Sequence, residues 1–266
     1  MSSTQENVYV QYGDGMREDS RSTSSRSSSL EFYYTKKHLK GFINMSDKVL
    51  EIGCATGHYG FYFADKCKEY LGVDLLLMHI DFFNNKIKEL GITNLSCQVG
   101  DATNLKNIEN ESFDVVLCLG PMYHLPADER EIAFSECNRV CKKGGIAAFA
   151  YINKIGVYTG ACIFSQHYPN AKTTEYVFEK ETDDAKPGTF FFTIPEDIEK
   201  AAKEHGFKKI KNLGTDFFIT MSIVDKMDDE KFELFKPLAE QMTSYESCTG
   251  MSNHALLICR KEDENG

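Results

Sequence analysis

From residue 48 onward the chain alternates short β-type runs with helical segments. This rhythm constrains the fold more than any other feature, because strands joined by helical crossovers must lie parallel in one sheet. Strands are expected near residues 48–52, 70–74, 95–99, 113–119 and 145–152, with helices at 59–68, 77–90 and 127–141 between them. The last of these helices is expected to stop at Lys142-Lys143-Gly144-Gly145, a cationic end followed by glycine. Pro195-Glu196-Asp197 and Gly206 frame a further helix ahead of a β-type run at 208–213, and a final strand is expected at 255–259. No internal repeat is visible.

Two kinds of segment interrupt the rhythm. The first 29 residues are polar and end in the serine-rich run 20–29, a composition that stays mobile unless something orders it, so residues 1–29 are expected to form a flexible arm that could serve as a lid. Leu30, Tyr33, Tyr34, Leu39 and Phe42 then recur at helical spacing and lead into the core. Residues 154–188, rich in Tyr, Phe, Thr and Lys, and a helical stretch at about 228–250 read as cap insertions in one domain covering 30–266.

A formal net charge of −10 argues against a chain whose main task is gripping nucleic acid, since phosphate contacts require clustered Lys and Arg. The longest apolar runs, 115–119 and 146–152, are far shorter than the ~20 residues that cross a bilayer, so no membrane partner is expected. Nine cysteines without a CxxC pair or zinc-ligand spacing fit a reducing compartment and no metal site. A cytoplasmic location is the expectation that follows.

The strongest local signal is the stretch Val49-Leu50-Glu51-Ile52-Gly53-Cys54-Ala55-Thr56-Gly57-His58-Tyr59-Gly60, an apolar strand running into a glycine-rich turn that opens a helix. Such a turn sits at the carboxyl end of its strand, where α/β sheets bind ligands. The G-x-G-x-x-G spacing of a dinucleotide site is missing, because Ala55 and His58 occupy its second and third positions. Glu51 points the same way: a carboxylate there would repel a pyrophosphate and attract a cationic sulfonium. Asp74 and Asp101 close the next two strands, where one could accept bonds from ribose hydroxyls and the other from an adenine amino group.

With these residues in family order, the chain resembles the class I S-adenosylmethionine-dependent methyltransferases. The matching stretches are Glu51-Ile52-Gly53-Cys54-Ala55-Thr56-Gly57, Gly72-Val73-Asp74, Gly100-Asp101-Ala102, Phe113-Asp114-Val115-Val116 and Lys143-Gly144-Gly145, covering about residues 45–152. Ala55 departs from the family's usual middle glycine. The resemblance implies an α/β, Rossmann-like sheet of seven strands, six parallel and the last antiparallel. It also implies that the loop of Gly53, Cys54, Ala55 and Gly57, together with Glu51 and Leu119, surrounds the methionine part of the cofactor. Asp74 would hold the ribose, Leu75 the adenine face, and Asp101 with Ala102 the adenine edge.

The segment Cys118-Leu119-Gly120-Pro121-Met122-Tyr123-His124-Leu125 is similar to the one that lines the transfer site in small-molecule members. It makes Tyr123 and His124 the candidate catalytic residues, His124 as a base. Arg21 or Arg26 in the arm could pair with the cofactor carboxylate, and Tyr33, Tyr34, Tyr151 and Tyr158 are further aromatic candidates for holding sulfur and acceptor.

The implied activity is methylation of an O, N or C atom of a small molecule by in-line displacement, with S-adenosylhomocysteine as product. RNA or protein methylation is the first alternative. The acidic balance stands against it, as does Leu119-Gly120-Pro121-Met122, which is unlike the Asn/Asp-Pro-Pro-Tyr/Phe motif of base amino-group methylation. A non-catalytic S-adenosylmethionine-binding protein and an NAD-dependent oxidoreductase are the others. The oligomeric state is not written in these features.

Overall fold

A computed structural model describes residues 2–13, 17–164, 170–217 and 223–263. Seven strands form one sheet: β1 (Lys48–Ile52), β2 (Glu69–Asp74), β3 (Leu95–Val99), β4 (Phe113–Cys118), β5 (Cys141–Ile152), β6 (Phe207–Gly214) and β7 (His254–Lys261). Their order is β3-β2-β1-β4-β5-β7-β6. Strands β1 to β5 pair in parallel, and β7 lies antiparallel between β5 and β6. This is the expected Rossmann-like sheet.

The helices of the described residues include α1 (Ser3–Tyr12), α2 (Arg17–Arg21), α3 (Arg26–Leu39), α4 (His58–Phe63), α5 (Leu77–Leu90), α6 (Ala127–Val140), α7 (Lys154–Phe164), α8 (Ala171–Phe178) and α9 (Pro195–Glu204), with two further ones over Asp229–Ser244 and Glu246–Thr249. Strand alternation builds two cores, because successive side chains leave opposite faces of a sheet. On one face Leu50, Ile52, Val116, Cys118, Ala147 and Phe149 pack with Phe134 and Cys137 of α6 and Ile198 of α9. On the other Val49, Val115, Leu117 and Ala148 pack with Leu39 of α3, Phe63 of α4 and Phe83 of α5.

Three expectations are corrected. Helix α6 does not stop at a glycine: Cys141 already pairs with Phe113, and Lys142-Lys143-Gly144-Gly145 lies inside β5, where the register shifts before Val115 meets Ile146. A Cβ on Gly145 would lie 2.8 Å from the Lys142 carbonyl oxygen and 2.9 Å from that of Asp114, so the irregular turn within β5 and the close approach of β4 together explain that glycine. The helix expected at 59–68 ends at Phe63 and tightens into a 3-10 turn over Ala64–Lys66.

The arm, expected to be flexible, is helical in both α1 and α2. Its serines act as caps: Ser2 and Gln5 form a reciprocal capping box, and the Ser25 hydroxyl accepts from the Ser28 N–H at the start of α3. Ser27 adds bonds from its N–H and hydroxyl to Asp225, at 2.9 and 2.8 Å. Composition hid this, since isolated serines read as linker and the partners lie far along the chain.

Candidate functional site

The carboxyl ends of β1, β2 and β4 face one cavity, and the loop after β1 forms its floor. Gly53 and Gly57 adopt φ of +79° and +90°. A Cβ on Gly53 would stand 2.6 Å from Pro121 Cδ and 3.0 Å from Gly120 Cα, so this loop and the turn after β4 touch backbone to backbone. Ala55 also has positive φ, 44°, where the family pattern has glycine. The N–H groups of Gly53 and Cys54 both donate to the Val73 carbonyl, at 2.7 and 3.0 Å, which pins the loop to β2.

Asp74 completes that anchorage. Its Oδ2 accepts from the Ala55 N–H at 2.8 Å, and its Oδ1 accepts from the Leu76 N–H at 2.9 Å and from His79 Nδ1 at 3.2 Å. One carboxylate therefore fixes the loop and the start of α5 together. Asp101 is held differently: Oδ1 accepts from the Thr103 N–H and hydroxyl, both at 2.8 Å, while Oδ2 accepts from Gln5 Nε2 of α1 at 2.5 Å.

The cavity encloses about 820 Å³, including its open mouth. Of the residues expected to hold the cofactor, Gly53, Ala55, Asp74, Leu75, Asp101 and Ala102 line it, and so do Tyr123 and His124. Glu51, Cys54, Gly57 and Leu119 are not among its lining residues. Gly57 instead faces the Phe83 ring, which a Cβ would meet at 2.3 Å, and Cys54 and Leu119 are buried in the core on that side of the sheet.

Glu51 is 1% exposed, and its Oε2 accepts from the Tyr70 hydroxyl at 2.7 Å. Burial pushes its pKa up to about 8, with the Asp74 charge adding and the Tyr70 bond opposing. In this structure the Glu51 carboxyl meets Tyr70 of β2 and does not open on the cavity where a sulfonium was expected. A folded pKa above the unfolded value of about 4.5 gives stability that is full at low pH and is lost between about pH 4.5 and 8. Glu51→Gln, which keeps an acceptor for Tyr70, should consequently gain more than about 1 kcal/mol on wild type between pH 5 and pH 8. Urea unfolding at both pH values checks this, and an unchanged difference would reject it.

The arm supplies the opposite wall. The Tyr9 hydroxyl donates to the Leu75 carbonyl at 3.2 Å, and the Tyr12 hydroxyl lies 2.9 Å from His124 Nε2. Since His124 Nδ1 must donate to the Thr189 carbonyl at 2.7 Å, its Nε2 accepts from Tyr12. Burial pulls the His124 pKa down to about 4. The expected base is therefore neutral with both nitrogens bonded while α1 is in place. Arg21 lines the cavity and pairs with Glu31 at 2.5 Å, whereas Arg26 pairs with Asp229 at 2.5 Å and is not a lining residue. Tyr33, Tyr34, Tyr151 and Tyr158 are likewise not lining residues; Tyr34 donates to the Lys236 carbonyl and Tyr151 to Asn212.

Past Tyr123 lies a group that sequence reading missed. His254 Nδ1 is 2.7 Å from Asp216 Oδ2 and 3.7 Å from Glu31 Oε2, and the His254 N–H donates to Asp216 Oδ1 at 2.6 Å. Burial lowers the His254 pKa, and Glu31 and Asp216 more than offset it, so the net shift is upward. Among the described residues this group could ligate a metal ion, its ligand atoms lying within 4.8 Å of one another. The Arg21 guanidinium beside Glu31 already supplies positive charge there. His79, Gln5 and Tyr12 were also missed; for Gln5 the Ser2-x-x-Gln5 capping pattern was a local signal.

Residues 49–145 match the profile of a family described as a methyltransferase domain. An uncharacterized protein of Rickettsia prowazekii is 31% identical over 111 residues, 40% of this chain and 19% of that protein. A tRNA U34 carboxymethyltransferase of Campylobacter fetus is 33% identical over 91 residues, 32% of this chain and 30% of that enzyme. The chain spans less than a third of the length of either relative. The solved complex between the Haloferax volcanii Trm112 methyltransferase activator and a candidate methyltransferase is similar with a TM-score of 0.61 at 15% identity, covering 99% of each chain.

Proposed function

We propose that this chain, whose residues 49–145 match a methyltransferase domain within a seven-stranded Rossmann-like sheet, transfers a methyl group from S-adenosylmethionine to an O, N or C atom of a small acceptor and releases S-adenosylhomocysteine. Family and fold imply use of that cofactor. The observation that carries the reading is Asp74, one carboxylate at the cavity floor that binds both the glycine loop and the start of α5. The residues present fit an adenosyl ligand: Gly53 faces the cavity where a side chain would collide with Pro121, and Leu75 and Ala102 offer apolar surface beside two carboxylates.

The bound cofactor supplies an electrophilic methyl carbon. The protein's part is alignment and exclusion of water, since displacement at that carbon needs positioning more than acid catalysis. Asp74 orients the ribose, Asp101 the adenine edge, and Tyr123 with His124 borders the acceptor. His124 Nε2 becomes free to take a proton only when Tyr12 moves away. Residues 1–29 thus act as a lid over a single domain at 30–266, with the segments at 154–188 and about 228–250 as its caps.

An RNA acceptor is the second reading, favoured by the identity with the Campylobacter enzyme, whose name places its action on tRNA. The net charge of −10 stands against it, as do Glu18 and Glu129 among the lining residues, because they would repel phosphates. No helix among the described residues is long and apolar enough to cross a membrane, and the working location is the cytoplasm. Incubation with methyl-labelled S-adenosylmethionine and fractionated extract should place label in the small-molecule fraction. Label in RNA or protein would overturn the acceptor class, and binding of NAD with none of S-adenosylhomocysteine would overturn the cofactor.

A further inference from the structure

Three buried side-chain polar atoms among the described residues have no hydrogen-bond partner: His79 Nε2, Arg130 Nη1 and Asn153 Oδ1. Of these residues only His79 lines the cavity. We propose that His79 Nε2 accepts a hydrogen bond from one ribose hydroxyl of the adenosyl ligand while Asp74 accepts from the other, so that the two side chains read the diol as a pair. This rests on the cofactor reading above.

The count of acceptor sites leaves Asp74 with fewer free positions than a ribose diol has donors. A carboxylate offers about four lone-pair positions. Asp74 has already committed one on Oδ2 to the Ala55 N–H and two on Oδ1 to Leu76 and His79, which leaves one on Oδ2. A ribose brings two adjacent O–H donors. His79 Nδ1 faces the carboxylate and so carries the ring proton, which leaves Nε2 as a bare acceptor.

His79 is 2% exposed in the first turn of α5, next to Ile80 and one turn before Phe83, both in the core. An unpaired buried acceptor is destabilising unless a ligand bonds to it. The Tyr12 ring stands edge-on at 6.4 Å between centroids, and its hydroxyl is engaged by His124, so the arm does not fulfil that role.

The test is a cycle between side chain and ligand. Calorimetry would measure S-adenosylhomocysteine and its 2′-deoxy and 3′-deoxy analogues against wild type, His79→Phe and His79→Met, with thermal unfolding to confirm each fold. Wild type should bind one deoxy analogue about tenfold more weakly than the parent through His79, and both variants should lose that discrimination while keeping the one due to Asp74. Equal weakening of all three ligands by the variants would make His79 only a support for Asp74 and overturn the proposal, as would unchanged affinities. In wild type, nitrogen NMR should show the Nε2 resonance of His79 moving toward a hydrogen-bonded position on titration with the parent ligand. A stationary resonance in a saturated protein overturns the proposal without any mutation. Failure of wild type to bind S-adenosylhomocysteine at all sinks the cofactor reading instead.

Discussion

Asp74→Ala is expected to weaken S-adenosylhomocysteine binding by about 5- to 150-fold, equivalent to about 1–3 kcal/mol. The loss has two sources. The ligand would lose the acceptor for a ribose hydroxyl, and the N–H groups of Ala55 and Leu76 would lose the oxygens that place the loop and α5. Asp74→Asn separates the two sources, because its amide keeps one oxygen for Leu76 and His79 while turning a donor toward the Ala55 N–H. It should bind more weakly than wild type but better than the alanine variant. Calorimetry beside circular dichroism decides the matter: a folded alanine variant with undiminished affinity would remove Asp74 from the site.

Gly57→Ala is expected to cost about 2–5 kcal/mol of folding stability. Part of this is backbone strain, since the residue sits at φ +90°. The rest is overlap, because an added Cβ would lie 2.3 to 2.5 Å from three atoms of the Phe83 ring, which is itself fully buried. Gly91 supplies the control: at the end of α5 it has φ of +65° and open space where a Cβ would go, so Gly91→Ala should cost only about 1 kcal/mol. Urea midpoints compare the two. If Gly57→Ala is no more costly than Gly91→Ala, contact with Phe83 is not what confines that turn. A Phe83→Leu background should return part of the Gly57→Ala loss but none of the Gly91→Ala loss.

The sheet was readable because its strands are short apolar runs broken by helices at a regular interval, and the antiparallel place of β7 followed from the family resemblance. The direction in which individual side chains point was less readable. Val49, Leu50, Glu51 and Ile52 are all buried, so β1 shows no polar and apolar alternation to reveal that Glu51 faces Tyr70. Gly57 was assigned to the ligand on loop membership, while its neighbour across space, Phe83, lies in a helix that begins twenty residues later. Asp216 and His254 belong to segments joined only by the pairing of β6 with β7, and no local spacing announces them. The arm failed for a similar reason: Gln5 meets Asp101 across 96 residues of sequence, and a serine-rich composition carries no sign of that contact.

Strand β7 lies between β5 and β6, and no other described strand pairs with β6. A chain emerging from the ribosome therefore holds residues 207–214 without a neighbour until residues 254–261 have followed. Until then β5 presents an open apolar edge, the arrangement most prone to pairing with another nascent chain. Closure of the sheet is thus a late event in synthesis, and the interval before it is when a chaperone has most to protect.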